Sequence, residues 1–149
     1  MEETVRTQAV VRRFYEALNT GDLALIDKVL IPEWEAHPAL RSGPGAEGWK
    51  ASITHLRGIF TDLSVTIEDV VVSADGRTAA VRSVTRGTHV GELLGVSGTG
   101  RRIEIRAADF HRLVDGRIVQ TWHLEDYFGV ATQLGLTFIA ETSQRQQTA

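Results

Sequence analysis

The feature that most constrains the fold is the run from Arg101 to Gly129, which has the pattern of two β-strands joined by Asp115-Gly116. An Asp-Gly pair between alternating segments is a strong signal for a β-hairpin. Strand side chains alternate between two faces, so one face of the first strand carries Ile103, Ile105, Ala107, Asp109 and His111. The faces of the returning strand carry two sets: Thr121, His123 and Glu125 on one, and Ile118, Trp122, Leu124 and Asp126 on the other.

The type of turn decides which of these faces meet. A three-residue loop, with Gly116 in the left-handed conformation, aligns the face of Asp109 with that of His123. A strict two-residue turn instead aligns Asp109 with Trp122. We favour the first, which places His123 opposite Ala107 and diagonal to Asp109, roughly 5–8 Å away between Cβ atoms.

A carboxylate beside an imidazole on an otherwise apolar sheet face is a candidate acid–base pair. Asp109 and His123 are therefore the candidate catalytic residues. The alternative is that the two polar side chains only satisfy each other at the rim of a sheet.

Upstream of the hairpin, the spacing of apolar residues predicts the remaining elements. Helical spacing predicts helices over Glu3–Asn19, Leu23–Leu30 and Ala46–Phe60. From Leu63 the spacing changes to two, which predicts a strand up to Val72 and another over Thr78–His89. Four glycines then follow before Arg101, and they lack the lysine of a phosphate loop, so we interpret this stretch as a connector.

This order predicts one α+β domain over residues 1–149, with a disordered tail from about residue 138. The helices cover one face of a curved antiparallel sheet and form a cone. Polar groups on the inward face of such a cone become pocket residues.

Composition excludes several classes of function. The net charge of −3 gives no basic field for nucleic acid and no polybasic membrane patch. The sequence contains no cysteine, which rules out disulfides and thiol chemistry. The first residues lack the apolar core of a signal peptide, so we expect a cytoplasmic protein.

Three further polar residues are candidates for the pocket. Tyr15 lies on or beside the apolar stripe of the first helix, where its ring can pack and its hydroxyl can point into a cavity. His111 shares the face of Asp109. His37, just before Pro38, lies either at the cavity mouth or on the surface. A metal site built from His89, His111 and His123 with Asp109 is not expected, because alternate strand positions do not give typical ligand spacing.

Four phrases together resemble the SnoaL-like polyketide cyclase (ester cyclase) family within the NTF2-like superfamily. They are FYEALNTGDL (Phe14–Leu23), GPGAEGWKA (Gly43–Ala51), GTHVGELLGVSGTGRRIEI (Gly87–Ile105), and DFHRLVDGRIVQTWHLED (Asp109–Asp126) followed by QLG (Gln133–Gly135). The resemblance implies an NTF2-like or cystatin-like cone. It also implies intramolecular aldol ring closure of a hydrophobic polyketide methyl ester, without cofactor or metal.

In that family a pocket carboxylate removes a proton from the carbon between two carbonyls. The carboxylate follows the tryptophan of the last strand, and a histidine on the preceding strand is its partner. In this sequence His123 follows Trp122, and the carboxylate is Asp109 on the other strand. The two chemical types are present with their strands exchanged. Trp122 and Asp126 complete the candidate substrate-binding set with Tyr15, His37 and His111.

Two alternatives to a cyclase remain open. One is another enzyme on the same cone, such as an isomerase or an epoxide hydrolase, which needs a carboxylate–arginine–carboxylate set. Arg82 or Arg106 could supply the guanidinium, but we identify no second carboxylate on the right face. The other is a non-catalytic small-molecule binding module. We also expect a homodimer, because the predicted outer sheet face carries Phe110, Trp122 and Leu124.

Overall fold

The structure is a computed structural model that describes residues 1–141. Nine elements follow one another along the chain: α1 (Glu2–Thr20), α2 (Ala24–Val29), β1 (Leu30–His37), α3 (Gly45–Ile59), β2 (Ser64–Val72), β3 (Thr78–Thr88), β4 (Arg102–Val114), β5 (Arg117–Glu125) and α4 (Tyr127–Gln133). Of the predicted tail, residues 138–141 have no regular secondary structure and residues 142–149 lie outside the described part.

The strands form one five-stranded sheet in the order β1-β5-β4-β3-β2. Strands β2 to β5 are an antiparallel meander, as predicted, and β1 pairs with β5 in the parallel sense. The predicted α+β architecture, with helices on one face of the sheet, is confirmed. Among residues 1–141, no helix is long and apolar enough to cross a membrane.

The first half of the chain differs from the prediction at the end of its second helix. We predicted a helix up to Leu30, whereas Leu30 already begins β1. Pro32 lies inside this strand. Because β1 is at the edge of the sheet, the missing N–H of proline costs no ladder hydrogen bond to a second neighbour.

The hairpin turn has two residues, so the predicted three-residue loop is wrong. Val114 pairs with Arg117, and both Asp115 (φ 49) and Gly116 (φ 76) have positive φ, as a type I′ turn requires. This turn alone would align Asp109 with Trp122.

A β-bulge restores the alignment that we predicted. Leu113 pairs with Ile118, but the next residue, Arg112, pairs with Gln120, which leaves Val119 as an extra residue in β5. Beyond this bulge, Asp109 lies directly opposite His123 rather than diagonal to it. The faces therefore meet as expected, although for a different reason.

Because of the same bulge, the position that we predicted for Ile118 is wrong. We placed Ile118 on the outer face with Trp122, but its exposed fraction is 0% whereas that of Trp122 is 39%. The bulge switches the alternation between these two positions, so both ends of β5 contribute residues to the interior.

Helices α1 and α3 cover the inner face of the sheet and complete the hydrophobic core. Fully buried members of this core are Val11, Ile26, Ile53, Ile103 and Ile118. Gly21 ends α1 in the left-handed conformation (φ 73), and its N–H bonds to Ala17 O. The covered sheet leaves space near Asp109, where polar side chains replace apolar ones.

We predict that Ile118→Ala lowers the free energy of unfolding by about 3 kcal/mol, because it leaves a cavity in the core. Urea denaturation measures this change. Val71→Ala is the control, since Val71 is 61% exposed and its truncation should cost less than about 1 kcal/mol. Equal, small losses in the two variants would contradict the bulged register.

Candidate active site

A cavity of about 390 Å³ lies between the helices and the inner face of the sheet. Its walls are mainly apolar, and its charged lining residues are Arg41, Asp109, His123 and Glu125. The aromatic wall is well ordered by packing: the rings of Phe14 and Trp49 stack with centroids 5.1 Å apart at an angle of 2°. Such a cavity suits a flat, hydrophobic small molecule with few polar groups.

Asp109 is the buried carboxylate of this cavity, with an exposed fraction of 3%. Its Oδ1 accepts a hydrogen bond from Nδ1 of His123. Its Oδ2 accepts a hydrogen bond of 2.7 Å from the Tyr15 hydroxyl. Both carboxylate oxygens are therefore anchored, which fixes the plane of the group against the cavity.

His123 lies between two carboxylates. Its Nε2 is 2.8 Å from Oε1 of Glu125, on the side away from Asp109. Burial lowers the pKa of His123, but the hydrogen bonds and negative charges of Asp109 and Glu125 outweigh it and raise the pKa to about 10. His123 is therefore an imidazolium at neutral pH.

Tyr15 and His111 support Asp109 from behind. The Tyr15 oxygen is 2.7 Å from Nε2 of His111. Burial lowers the pKa of His111 to about 4, against the opposing effect of Asp109, so this ring is neutral. Burial and the charge of Asp109 hold the pKa of Tyr15 well above its ordinary value, so the phenol keeps its proton.

The loop after β1 and the start of α4 also contribute to the cavity lining. The loop provides Pro38, Ala39, Leu40 and Arg41, and α4 provides Tyr127. Burial and the charge of Glu125 raise the pKa of Tyr127 to about 12, so its hydroxyl remains a hydrogen-bond donor at neutral pH.

The structure brings together four of the seven predicted site residues. Asp109, His123 and Tyr15 line the cavity, and His111 lies directly behind Tyr15. The other three lie elsewhere. The rings of His37 and Trp122 stack on each other, with centroids 5.1 Å apart and outside the cavity lining. The Asp126 side chain accepts from Gly129 N and caps α4.

Sequence reasoning missed several residues of the site. We identified no second carboxylate on the right face, but Glu125 lines the cavity, and its period-two spacing from His123 is the signal that could have identified it. Trp34 and Thr121 line the cavity and are hydrogen-bonded to each other. Arg41 could not be found from spacing, because it comes from a loop. Arg82 and Arg106, the guanidinium candidates, are exposed and absent from the lining.

The arrangement can perform proton transfer in a water-poor space. The Asp109 carboxylate is a base, and the charged His123 ring beside it can stabilise negative charge that develops nearby. Among residues 1–141, no group of three or more histidine, aspartate or glutamate side chains is arranged to hold a metal ion.

Comparison with known proteins places these features in a family. The family model for SnoaL-like polyketide cyclase matches residues 8–134. Aklanonic acid methyl ester cyclase DauD of Streptomyces sp. (strain C5) is 32% identical over 129 residues, covering 85% of this chain and 80% of that protein. The DnrD cyclase of Streptomyces peucetius is also 32% identical over 129 residues, covering 85% and 88%.

Solved structures agree with the sequence relatives. TsrD from Streptomyces laurentii superposes with a TM-score of 0.81 at 33% identity and covers 89% of this chain and 97% of its own. IdmH from Streptomyces antibioticus has a TM-score of 0.73 at 33% identity, with 87% and 99% covered.

We predict that stability is greatest near pH 6.5 and declines on both sides. The raised pKa of His123 means that its stabilising contribution is complete below 6.5 and is lost as pH rises towards 10. The lowered pKa of His111 means that stability is lost as pH falls from 6.5 towards 4, because the unfolded chain binds that proton first. Thermal melting across this range measures both limbs.

His123→Gln should remove the loss of stability that His123 causes at alkaline pH. The stability difference from the parent protein should therefore shrink between pH 6.5 and 10. His55→Gln is the matched control, because His55 is exposed on α3 and touches none of the site. If the stabilities of the parent protein and of His123→Gln change in parallel above pH 7, the two carboxylates do not hold His123 as an imidazolium.

Proposed function

Because the chain belongs to the SnoaL-like polyketide cyclase family, we propose that it closes a ring in a hydrophobic polyketide methyl ester by an intramolecular aldol reaction, without cofactor or metal ion. The Asp109–His123 pair, in a cavity of about 390 Å³ with aromatic walls, is the observation that supports this proposal most strongly. The matched relatives are named as cyclases of aklanonic acid methyl ester and nogalonic acid methyl ester.

In the proposed first step, Asp109 removes a proton from the carbon between two carbonyl groups of the substrate. That proton is already acidic, so a single positioned carboxylate is a sufficient base. Negative charge moves from Asp109 to the enolate oxygen. The positive charge of His123, adjacent to Asp109, stabilises the enolate in an environment of low dielectric constant.

In the second step, the enolate carbon attacks a second carbonyl of the same molecule and a carbon–carbon bond forms. The alkoxide that results takes a proton from the Asp109 carboxyl, which returns to its starting charge. The reaction is an isomerisation, since no atom is lost and no oxidant or reductant is required. The hydrogen bonds and charges of Asp109 and Glu125 keep His123 cationic at neutral pH, which leaves Asp109 as the base in this proposal.

Epoxide opening is a second candidate, and one observation favours it. Asp109, Glu125 and Arg41 all line the cavity, which supplies the carboxylate–arginine–carboxylate composition that the sequence alone did not reveal. Incubation with a hydrophobic epoxide and detection of the diol tests it. In this structure His123 bonds to both carboxylates, which favours aldol chemistry over water activation.

We predict that Asp109→Asn lowers kcat at least about a hundredfold, because the amide keeps the shape but is not a base. Conversion of aklanonic acid methyl ester or nogalonic acid methyl ester, followed by absorbance and mass spectrometry, measures the rate. Asp115→Asn is the control: it makes the same change in the exposed hairpin turn and should leave kcat unchanged. Equal rates in the two folded variants would exclude Asp109 as the base.

We also propose that two copies of the chain pair through their outer sheet faces. Phe110 and Trp122 lie directly opposite each other across β4 and β5, and their exposed fractions are 51% and 39%. Leu124, two residues further along β5, is 72% exposed. In a symmetric dimer, such an apolar patch is buried against the same patch of the second copy.

We predict a homodimer at micromolar concentration by light scattering, and a monomer for Leu124→Glu. The new carboxylates would meet like charges across the interface without partners. Val5→Glu is the control, since Val5 is 61% exposed on α1 and away from the sheet. A monomeric parent protein would exclude the pairing.

A further inference from the structure

A continuous chain of hydrogen bonds runs from Trp34 to Asp109. Trp34 Nε1 is 3.0 Å from Thr121 Oγ1, which is 2.8 Å from Nδ1 of His111. Nε2 of His111 is 2.7 Å from the Tyr15 oxygen, and that hydroxyl is 2.7 Å from Asp109 Oδ2. All five side chains are buried, and buried polar groups are nearly always hydrogen-bonded.

The direction of each bond follows first from the carboxylate end. A carboxylate only accepts hydrogen bonds, so the single hydroxyl proton of Tyr15 must point at Asp109. If that proton pointed at His111 instead, two oxygens would face each other at 2.7 Å without a hydrogen between them. The Tyr15 oxygen therefore accepts from His111, and the proton of the neutral His111 ring is on Nε2.

The opposite end of the chain requires the same direction. The indole of Trp34 only donates, so Thr121 Oγ1 accepts from it. Within the described residues, the Thr121 hydroxyl has one further partner, Nδ1 of His111. If the Thr121 oxygen also accepted a hydrogen bond from Nδ1, the buried Thr121 proton would be unpaired, at a cost of about 1–3 kcal/mol. Thr121 therefore donates to Nδ1, which must be without a proton.

We infer that Trp34 and Thr121 are positioning residues, which fix the tautomer of His111 and so commit the Tyr15 proton to Asp109. Neither touches the reacting atoms in this role. Their effect reaches Asp109 through His111 and Tyr15, and every donor in the chain points towards the carboxylate. The catalytic part of this role rests on the proposed function, whereas the order of the bonds does not.

This direction changes the role expected for Tyr15. We predicted that Tyr15 binds the substrate, but its only proton is already donated to Asp109. The hydroxyl holds one carboxylate oxygen in place, and His123 bonds to the other. Asp109 is thus fixed on both oxygens, and its remaining lone pairs are available to the cavity.

The order of the bonds is tested without any substrate, by ¹⁵N NMR of the histidine rings in the labelled, full-length protein. At pH 7, His111 should be neutral with its proton on Nε2. In Thr121→Val, which keeps the shape but removes the hydroxyl, the Nδ1 resonance should move to that of an acceptor without a hydrogen bond. A proton on Nδ1 in the parent protein would overturn the inference.

The positioning effect is tested by comparing Thr121→Val with Thr7→Val. Thr7 is also a buried threonine, 4% exposed, and it donates to Gly76 O outside the cavity lining. Thr121→Val loses the two buried hydrogen bonds to Trp34 and His111, and Thr7→Val loses one. Only Thr121→Val should shift the proton resonance of the His123–Asp109 bond and lower kcat for the methyl ester, by roughly tenfold, with KM unchanged.

Thr121→Ser should restore both values, because serine keeps the hydroxyl. If Thr121→Val and Thr7→Val show the same His123 resonance and the same kcat, this series of hydrogen bonds has only a structural role and the inference is wrong. If the His123 resonance shifts but neither methyl ester is converted by the parent protein, the proposed function fails and the positioning of Asp109 stands.

Discussion

The single extra residue in β5, Val119, is the constraint on which the site depends. Without this bulge, the two-residue turn would align Asp109 with Trp122 and direct His123 and Glu125 to the outer face. The bulge changes the alternation once, so that Ile118 fills the core while Thr121, His123 and Glu125 line the cavity. Substituting side chains around the cavity could not compensate for its loss, because the backbone register directs all of them together.

The second organising feature is the balance of charge around His123. An imidazolium that is partly removed from water is unfavourable unless its protons are accepted, and here two carboxylates accept them. The same arrangement keeps Asp109 beside a fixed positive charge. The neutral His111 ring reaches Asp109 only through Tyr15, and burial lowers its pKa. Two histidines of similar intrinsic basicity therefore have different charge states at neutral pH.

Much of the fold and part of the site could be predicted from the sequence. Period-two spacing gave the faces of β4, and the acid–base types of Asp109 and His123 identified the pair. The bulge could not be predicted, because nothing in the local sequence distinguishes an extra residue at Val119 from a longer turn. Arg41 and Trp34 were missed because their positions depend on a loop and on an edge strand that pairs with a distant segment.

The three tryptophans stand in two unlike surroundings. Trp34 and Trp49 are part of the cavity wall, whereas Trp122 lies on the outer sheet face beneath Arg112. Intrinsic fluorescence therefore carries two separable signals. Quenching of the emission by an aromatic ligand reports on binding in the cavity. A spectral shift on dilution reports on the surroundings of Trp122 on the outer sheet face. A Trp122→Phe background isolates the first signal, so the chain contains its own optical reporter for ligand screening.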